Sequence, residues 1–514
     1  MHFTRRQWLG ASAVGTAGVV VAGMELSPIA RALEQEPDAA KQLAAIRKFS
    51  GKVPHATHYG PLIATVEKGR LVKVEAQSTD KMPTAMLTEG VIDRTYDKTR
   101  IAGPMVRKHY LDAVQRGDSN TRPDLRGKDE WVQVSWDTAL GLTAKAILDT
   151  IEKHGNEACF SSSYGGWSHA GIFRPNVLQG RFFNLLGGSS MTTGDYSAGA
   201  GQIVLPMVMG DMEVYSAQSA WETLRDNTEL VVFIGCDPDK NNRIEYTVCD
   251  HEMYSGWEAI KKAGCKFISI NPQVTTTDEK MGSDWVRIVP NTDTALFLAM
   301  SYHLISQKKL NQAFIDKYTV GFDKFRAYLE GKDKDGTPAK TPEWAAKITG
   351  VPAARIRELA ELMQSKRTQL AASWAIQRAH HGEMPYWAIV NFACILGNIG
   401  LPGQGVGFSW HYGGGGTAQS GGTAPTGLSQ GRNPVKKICP ASRINEMLLN
   451  PGKEFTYNGT TYTFPKVKLI YNAGNNAYSH QQDLNELARA IKDVDTIICH
   501  EPWWNGSARW ADIV

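Results

Sequence analysis

Three features of the sequence predict an α/β fold built on mostly parallel sheets. Short apolar runs recur along the chain, each closing in a loop of Asn, Asp, Gly, Ser or Pro. Stretches with apolar residues three and four apart lie between them, the spacing of amphipathic helices. The runs also fall in two clusters, near 230–375 and 467–500, so two Rossmann-like α/β domains are expected. A chain of 514 residues is too long for one ordinary domain in any case.

Taken in order, Thr57–Ala76 alternates as a strand pair turning at Lys68-Gly69, which makes a small N-terminal β-rich region. Leu230–Gly235 runs into Cys236–Asn241, and Trp257–Ala263 reads as helix before Lys266–Ile270 runs into Asn271-Pro272-Gln273. Asp293–Lys308 and Ala353–Ser365 read as helices, and Gln369–Ser373 leads into Trp374–Arg378. Val467–Tyr471 then leads into Asn472–Asn476, and Asp495–Cys499 into His500–Trp503. Ligands of parallel sheets bind beyond the carboxyl ends of the strands, where these loops fall. Polar loops end strands in every protein, so no single loop carries that argument. Neither G-x-x-x-x-G-K-[ST] nor a strand-to-helix G-x-G-x-x-G is present; Gly403–Gly407 and Gly413–Gly416 read as flexible cover instead of a phosphate cradle.

Composition bounds the function classes. Hydrophobic residues at 42% and charged residues at 21% describe a globular chain with a core. The formal charge is only +4, and no Lys/Arg block marks a nucleic-acid surface. None of the seven cysteines stands in a C-x-x-C pair, against a zinc ribbon or a locally held iron–sulfur cluster. Their odd count and irregular spacing argue against a disulfide framework, so most are expected as buried small hydrophobes.

The first 32 residues read as an address. Arg5-Arg6 precedes a weakly apolar, Gly/Ala-rich stretch, and Ala30-Arg31-Ala32 supplies small residues for cleavage, the pattern of a twin-arginine export signal. Trp8–Ala22 is shorter than the ~20 apolar residues a bilayer needs and is diluted with Gly, Ser and Thr. A periplasmic protein without a membrane span after signal removal is expected. That route carries folded proteins, which suits a cofactor inserted in the cytoplasm.

Specific blocks carry a resemblance. Thr193–Ala200, running on to Glu213-Val214-Tyr215, is similar to the stretch that supplies the metal-binding serine of the dimethyl sulfoxide/trimethylamine N-oxide/biotin sulfoxide reductases. Ser163-Tyr164-Gly165-Gly166-Trp167 resembles their Tyr-Gly-Trp motif with one extra glycine. Trp374–Glu383, Leu396–Gly403 and Ser507–Val514 match further blocks, and the likeness runs in order over about residues 55–514.

The resemblance implies molybdenum held by two molybdopterin guanine dinucleotides, with the Ser197 oxygen as the protein's ligand. An alkoxide is a hard anionic donor suited to a high-valent metal. Tyr164 and Trp167 are the candidate hydrogen-bond donors to the reacting oxygen; the added glycine leaves open whether both reach it or Trp167 alone. Implied cofactor contacts are Lys240, Asn241, Ile270, Asn271, Asn291, Thr292, Asp293, Trp374, Ala375, Arg378, Asn475, His500 and Glu501. Asn271 replaces a family aspartate, and Ser479 stands where a histidine is expected. Trp410–Gly416 reads either as a lid over the entrance or as a surface loop.

The implied activity is oxygen-atom removal from an S-oxide or N-oxide, with no iron–sulfur cluster. A periplasmic c-type cytochrome would supply electrons, and a cytoplasmic chaperone would assist maturation. The expected division is a signal peptide (1–32), a β-rich region (33–103), a first α/β domain (104–210 and 380–514) and a second (211–379). The family's C-terminal β-rich domain is absent, and the chain stops inside the block ending at Val514, so a fragment inactive alone is expected. An exported NAD(P)-dependent dehydrogenase and a non-catalytic exported ligand-binding protein remain as alternatives.

Overall fold

The computed structural model describes residues 47–57, 59–162, 175–211, 218–244, 251–408, 410, 428–474 and 476–514. The segment read as an export signal lies outside them. β1 (Gly51–Thr57), β2 (Gly60–Glu67) and β3 (Arg70–Ala76) form an antiparallel meander. Lys68 and Gly69 turn it with φ of 48° and 74°, the left-handed pair of a tight hairpin. β1 is mostly exposed and has no apolar alternation to announce it; pairing with β2 makes it a strand.

β4 (Met105–Arg107) and β5 (Trp131–Gln133) pair antiparallel, and the short strands β6 (Cys159–Ser162) and β7 (Met191–Thr193) follow. β8 (Leu230–Ile234), β9 (Lys266–Asn271), β10 (Asp284–Arg287), β11 (Thr368–Ala372) and β12 (Gly405–Gly407) build a parallel sheet in the order β10-β9-β8-β11-β12. Every residue of β8 and β11 is buried, because helices cover both faces. A strand buried on two sides reads as a continuous apolar run.

The helix Asp293–Ser306 is buried nearly all round, between this sheet's core and the helices Pro342–Thr349, Ala353–Ser365 and Met384–Leu396. The chain therefore stays with this layer beyond residue 379, the expected point of departure, through the helix Met384–Leu396 and β12. β12 also corrects the reading of Gly403–Gly407 as loose cover. A Cβ on Gly407 would collide with Gln218 and Trp410, so glycine is what lets an edge strand close there. Trp410 is 1% exposed, packed on Trp221 and Trp257, so it anchors the core and is no lid. His411–Gly416 lie outside the described residues.

β13 (Ile438–Pro440), the hairpin of β14 (Glu454–Tyr457) and β15 (Thr460–Thr463), β16 (Leu469–Ala473) and β17 (Thr496–His500) complete the strands. β17, β16 and β6 pair in parallel, a bridge between Phe160 and Ser190 joins β6 to β7, and β7 pairs with β13. One edge of this second sheet thus gathers the carboxyl ends of β17, β16, β6 and β7. The fold is the expected mixed α/β with mostly parallel sheets and a small antiparallel N-terminal region. The six described cysteines are unpaired and all but Cys394 are buried, as expected of small hydrophobes. Among the described residues no helix is long and apolar enough to cross a membrane.

Candidate cofactor site

The larger sheet reverses direction between β8 and β11: β9 and β10 extend it on one side of β8, β12 beyond β11 on the other. A crevice opens outside the carboxyl ends of strands at such a switch point. Gly235 ends β8 there with φ of 55°, and a Cβ would strike the Ile376 side chain, so the two loops meet only over glycine. The Ser373 hydroxyl donates to the Gly235 carbonyl and accepts from the Ala375 amide at 3.1 Å, which caps the turn Trp374–Gln377.

Most of the expected contacts line this edge. Lys240 and Asn241 sit exposed on the one-turn helix Pro238–Asn241, and Ala375 and Arg378 are exposed on the facing loop. Lys240 and Arg378 form no ion pair with any described residue. Ile270 is wholly buried, so only its backbone can meet a ligand; Trp374, 5% exposed, packs at a tilt against Tyr386 and Phe408 and braces the loop from beneath. Asn271 is held by its own side-chain amide. Its amide nitrogen donates to Ser269 Oγ at 2.7 Å and to the Cys236 carbonyl at 3.3 Å, and the second is a bond a carboxylate could not make. Asn291 takes φ of 67°, the Thr292 hydroxyl donates to the Val289 carbonyl at 2.6 Å, and Asp293 opens the next helix. Burial pushes the Asp293 carboxyl up to about 6.

The second sheet contributes its own edge. His500 Nε2 lies 2.8 Å from the Tyr471 hydroxyl at the ends of β17 and β16. Surrounding protein holds the His500 imidazole below its ordinary basicity, and burial raises the neighbouring Glu501 against a hydrogen bond from Asn505. Ser479 is exposed and donates to the Asn476 carbonyl at 3.1 Å. The next residue, His480, contacts the same carbonyl at 3.0 Å and stacks on Tyr196 with 19° between rings. A histidine therefore does reach this loop, one position later than expected. Tyr164, Trp167 and Asn475 lie outside the described residues.

Half-buried Ser197 lies between β7 and the helix Gly199–Met209. Asp195 supplies the local cap: its carboxylate accepts from the Ala198 amide at 2.9 Å and from Gln202 Nε2 at 2.6 Å. The Tyr196 hydroxyl donates to the Ala441 carbonyl at 2.9 Å. Gln377 reaches across from the other sheet, donating to the Ser197 carbonyl at 2.6 Å and accepting from the Ala200 amide at 3.0 Å. Gln377 belongs to a matched block but not to the expected contacts; its only sequence signal was a polar side chain beside Arg378.

Residues 100–514 match the family described as molybdopterin oxidoreductase, and residues 55–96 match its N-terminal domain. The chain belongs to the molybdopterin oxidoreductase family. It is 43% identical over 485 residues to a dimethyl sulfoxide/trimethylamine N-oxide reductase of Rhodobacter capsulatus, covering 92% of this chain and 58% of that protein. A trimethylamine-N-oxide reductase of Haemophilus influenzae is 36% identical over 521 residues, covering 99% of this chain and 61% of its own length. The chain thus spans 58% and 61% of the lengths of these two relatives. Acetylene hydratase from Pelobacter acetylenicus shares the fold, with a TM-score of 0.56 and 17% identity over 88% of this chain and 61% of that one.

A molybdopterin oxidoreductase holds a molybdenum–pterin cofactor, and the residues present suit one. Among the described residues no group of three or more His, Cys, Asp or Glu is placed to hold a metal. Within that set the chain offers single donors such as the serine oxygen, which suits a metal whose other ligands arrive with the cofactor. Two parallel-sheet edges, one carrying cations without an acidic partner among the described residues, suit an anionic group with extended arms. The family match removes the separate basis for the dehydrogenase and binding-protein alternatives.

Proposed function

We propose that the complete protein is a periplasmic reductase of S-oxides or N-oxides, built on molybdenum held by two molybdopterin guanine dinucleotides. The observation that carries the reading is the Ser197 loop, held where the two parallel sheets meet, in a chain 43% identical to a dimethyl sulfoxide/trimethylamine N-oxide reductase. When bound, the cofactor supplies the two-electron chemistry that takes oxygen from the oxide.

The chain's own residues hold the cofactor and orient the substrate. Ser197 gives the metal an anionic oxygen donor. Lys240 and Arg378 neutralise phosphates on the larger sheet, while the backbone at Ile270 and Asn271 and the turn Asn291–Asp293 seat one nucleotide arm. Asn475, His500 and Glu501 seat the other arm. Trp167 donates a hydrogen bond to the substrate oxygen, joined by Tyr164 if the added glycine leaves both side chains facing it. Arg5-Arg6 directs export after a cytoplasmic chaperone has assisted cofactor insertion, and a c-type cytochrome delivers electrons, a reading supported by the lack of C-x-x-C spacing in this sequence.

The test is metal and nucleotide analysis of the matured full-length protein, wild type beside Ser197→Ala, followed by turnover of dimethyl sulfoxide and trimethylamine N-oxide. Molybdenum with two guanine nucleotides per metal in the wild type supports the reading. A fully matured wild type without molybdenum would falsify it.

A further inference from the structure

Gln377 bonds the Ser197 turn at both ends with one side chain. Its amide nitrogen donates to the Ser197 carbonyl at 2.6 Å and stands 3.5 Å from the Tyr196 carbonyl, while its amide oxygen accepts from the Ala200 amide at 3.0 Å. The bonded atoms bracket Ala198 and Gly199, so the clamp spans the point where loop becomes helix. Only a carboxamide of this length meets both demands. Glutamate keeps the acceptor and loses the donor, asparagine is one methylene short, and leucine offers neither.

The clamp is also fixed at its root. Gln377 closes the turn Trp374–Gln377 after β11, and its carbonyl accepts from the Ala379 amide at 2.7 Å. Gly382 packs so closely on that backbone that a Cβ would overlap the Gln377 carbonyl. Asp195 and Tyr196 tie the loop to its own helix and to Ala441 beyond β13, on the smaller sheet. Gln377 comes from the larger sheet. Through it, the position of Ser197 depends on how the two sheets are placed against each other.

We propose that Gln377 is a positioning residue that fixes the Ser197 oxygen at the metal, an inference that rests on the reading of Ser197 as the metal's protein ligand. The experiment uses the full-length matured holoenzyme as wild type, Gln377→Leu, Gln377→Glu and Ser197→Ala. Molybdenum and guanine nucleotide content, the Mo(V) paramagnetic resonance spectrum and the oxygen shell seen by X-ray absorption are measured beside kcat and KM. Gln377→Leu should hold metal and nucleotide at wild-type level, because the cofactor's own contacts retain them. Its spectrum and oxygen shell should move towards those of Ser197→Ala, and kcat should fall roughly 10–100-fold at unchanged KM, the scale of a misplaced reacting group. Should Gln377→Leu fail to fold or load, Gln377→Glu, which keeps the shape and the bond from Ala200, carries the same comparison. A loaded variant with wild-type spectrum and oxygen shell overturns the proposal. If Ser197→Ala itself leaves the spectrum untouched, the ligand reading falls and takes the proposal with it.

Discussion

Arg126 grips Asp512 with Nε and Nη2, at 3.1 and 2.5 Å, and neither side chain reaches solvent. Arg107 donates to the same carboxylate at 2.9 Å and pairs with Asp129 at 2.9 Å, and the Ile497 amide adds a bond to Asp512 at 2.8 Å. Arg126 also donates to the carbonyls of Ile491, Val494 and Asp495. The cluster ties residues 107–129 to the strand β17 and the closing turn of the chain. Its net worth against a hydrophobic substitute is small, but removing one partner leaves buried charge uncompensated.

Asp512→Asn should therefore lower stability by about 3–5 kcal/mol. Denaturant unfolding of the two proteins measures it. Asp124→Asn, which breaks the exposed pair with Arg122, is the control and should leave the midpoint where it was. Equal midpoints for all three proteins would mean that the buried cluster contributes nothing to folding.

The buried carboxyl of Asp293 makes a pH prediction with a definite sign. Burial lifts it to about 6 from an ordinary 3.8, and this outweighs whatever the helix N-terminus does for the charged form. Below about pH 4 the group is protonated in both folded and unfolded chains. Between about 4 and 6 the folded chain keeps a proton that the unfolded chain has released, so stability falls as pH rises through that window and levels off above it. The whole effect is at most about 3 kcal/mol. Asp293→Asn should lack it, so the difference in urea midpoint between variant and wild type should slope from pH 4 to 6. Parallel curves across that interval would place the carboxyl in a wetter setting than its 6% exposure suggests.

Much of this was legible in the sequence because burial writes itself into composition. β8 and β11 are buried throughout, and β9, β16 and β17 mostly so. β8 reads as an unbroken apolar run and the others as apolar runs broken or bounded by polar residues; the polar loops follow them directly. What was illegible is what neighbours decide. β1 is a strand only because β2 lies beside it. Gly405-Val406-Gly407 looks like a loop until Gln218 and Trp410 fill the space a side chain would take. Trp410 sits beside a glycine run, and nothing local announces the Trp221 and Trp257 rings that enclose it. Gln377 meets Ser197 across 180 residues of chain, a pairing without periodicity or motif.

Gly256 sets two known effects against each other. In the helix Glu252–Lys262, alanine would be favoured over glycine by roughly 1 kcal/mol on propensity alone. The added Cβ, however, would overlap the nearest atoms of the Trp221 ring, and Trp257 and Trp410 hold that ring in place at centroid distances of 5.1 and 5.7 Å. Overpacking a closed core costs about 1–3 kcal/mol, so it should win. Gly256→Ala is expected to melt earlier than wild type; a higher melting temperature would show that the tryptophan cage can give way.

Lys240 and Arg378 test the larger sheet edge most directly. They stand on the loops after β8 and β11, either side of the switch point, and neither has an acidic partner among the described residues. Cations left unpaired at strand ends are the complement of a phosphate group. A charge-assisted hydrogen bond contributes about 1.5–3 kcal/mol, so each change to glutamine should weaken cofactor retention by roughly 10–100-fold. Purified full-length Lys240→Gln and Arg378→Gln should lose guanine nucleotide and molybdenum together, more steeply in high salt if the remaining contacts are ionic. Arg225→Gln, whose guanidinium is already paired with Asp226 away from this edge, should retain both at wild-type level. If all three variants hold equal nucleotide, the phosphates are gripped by backbone amides, and the two cations only colour the entrance.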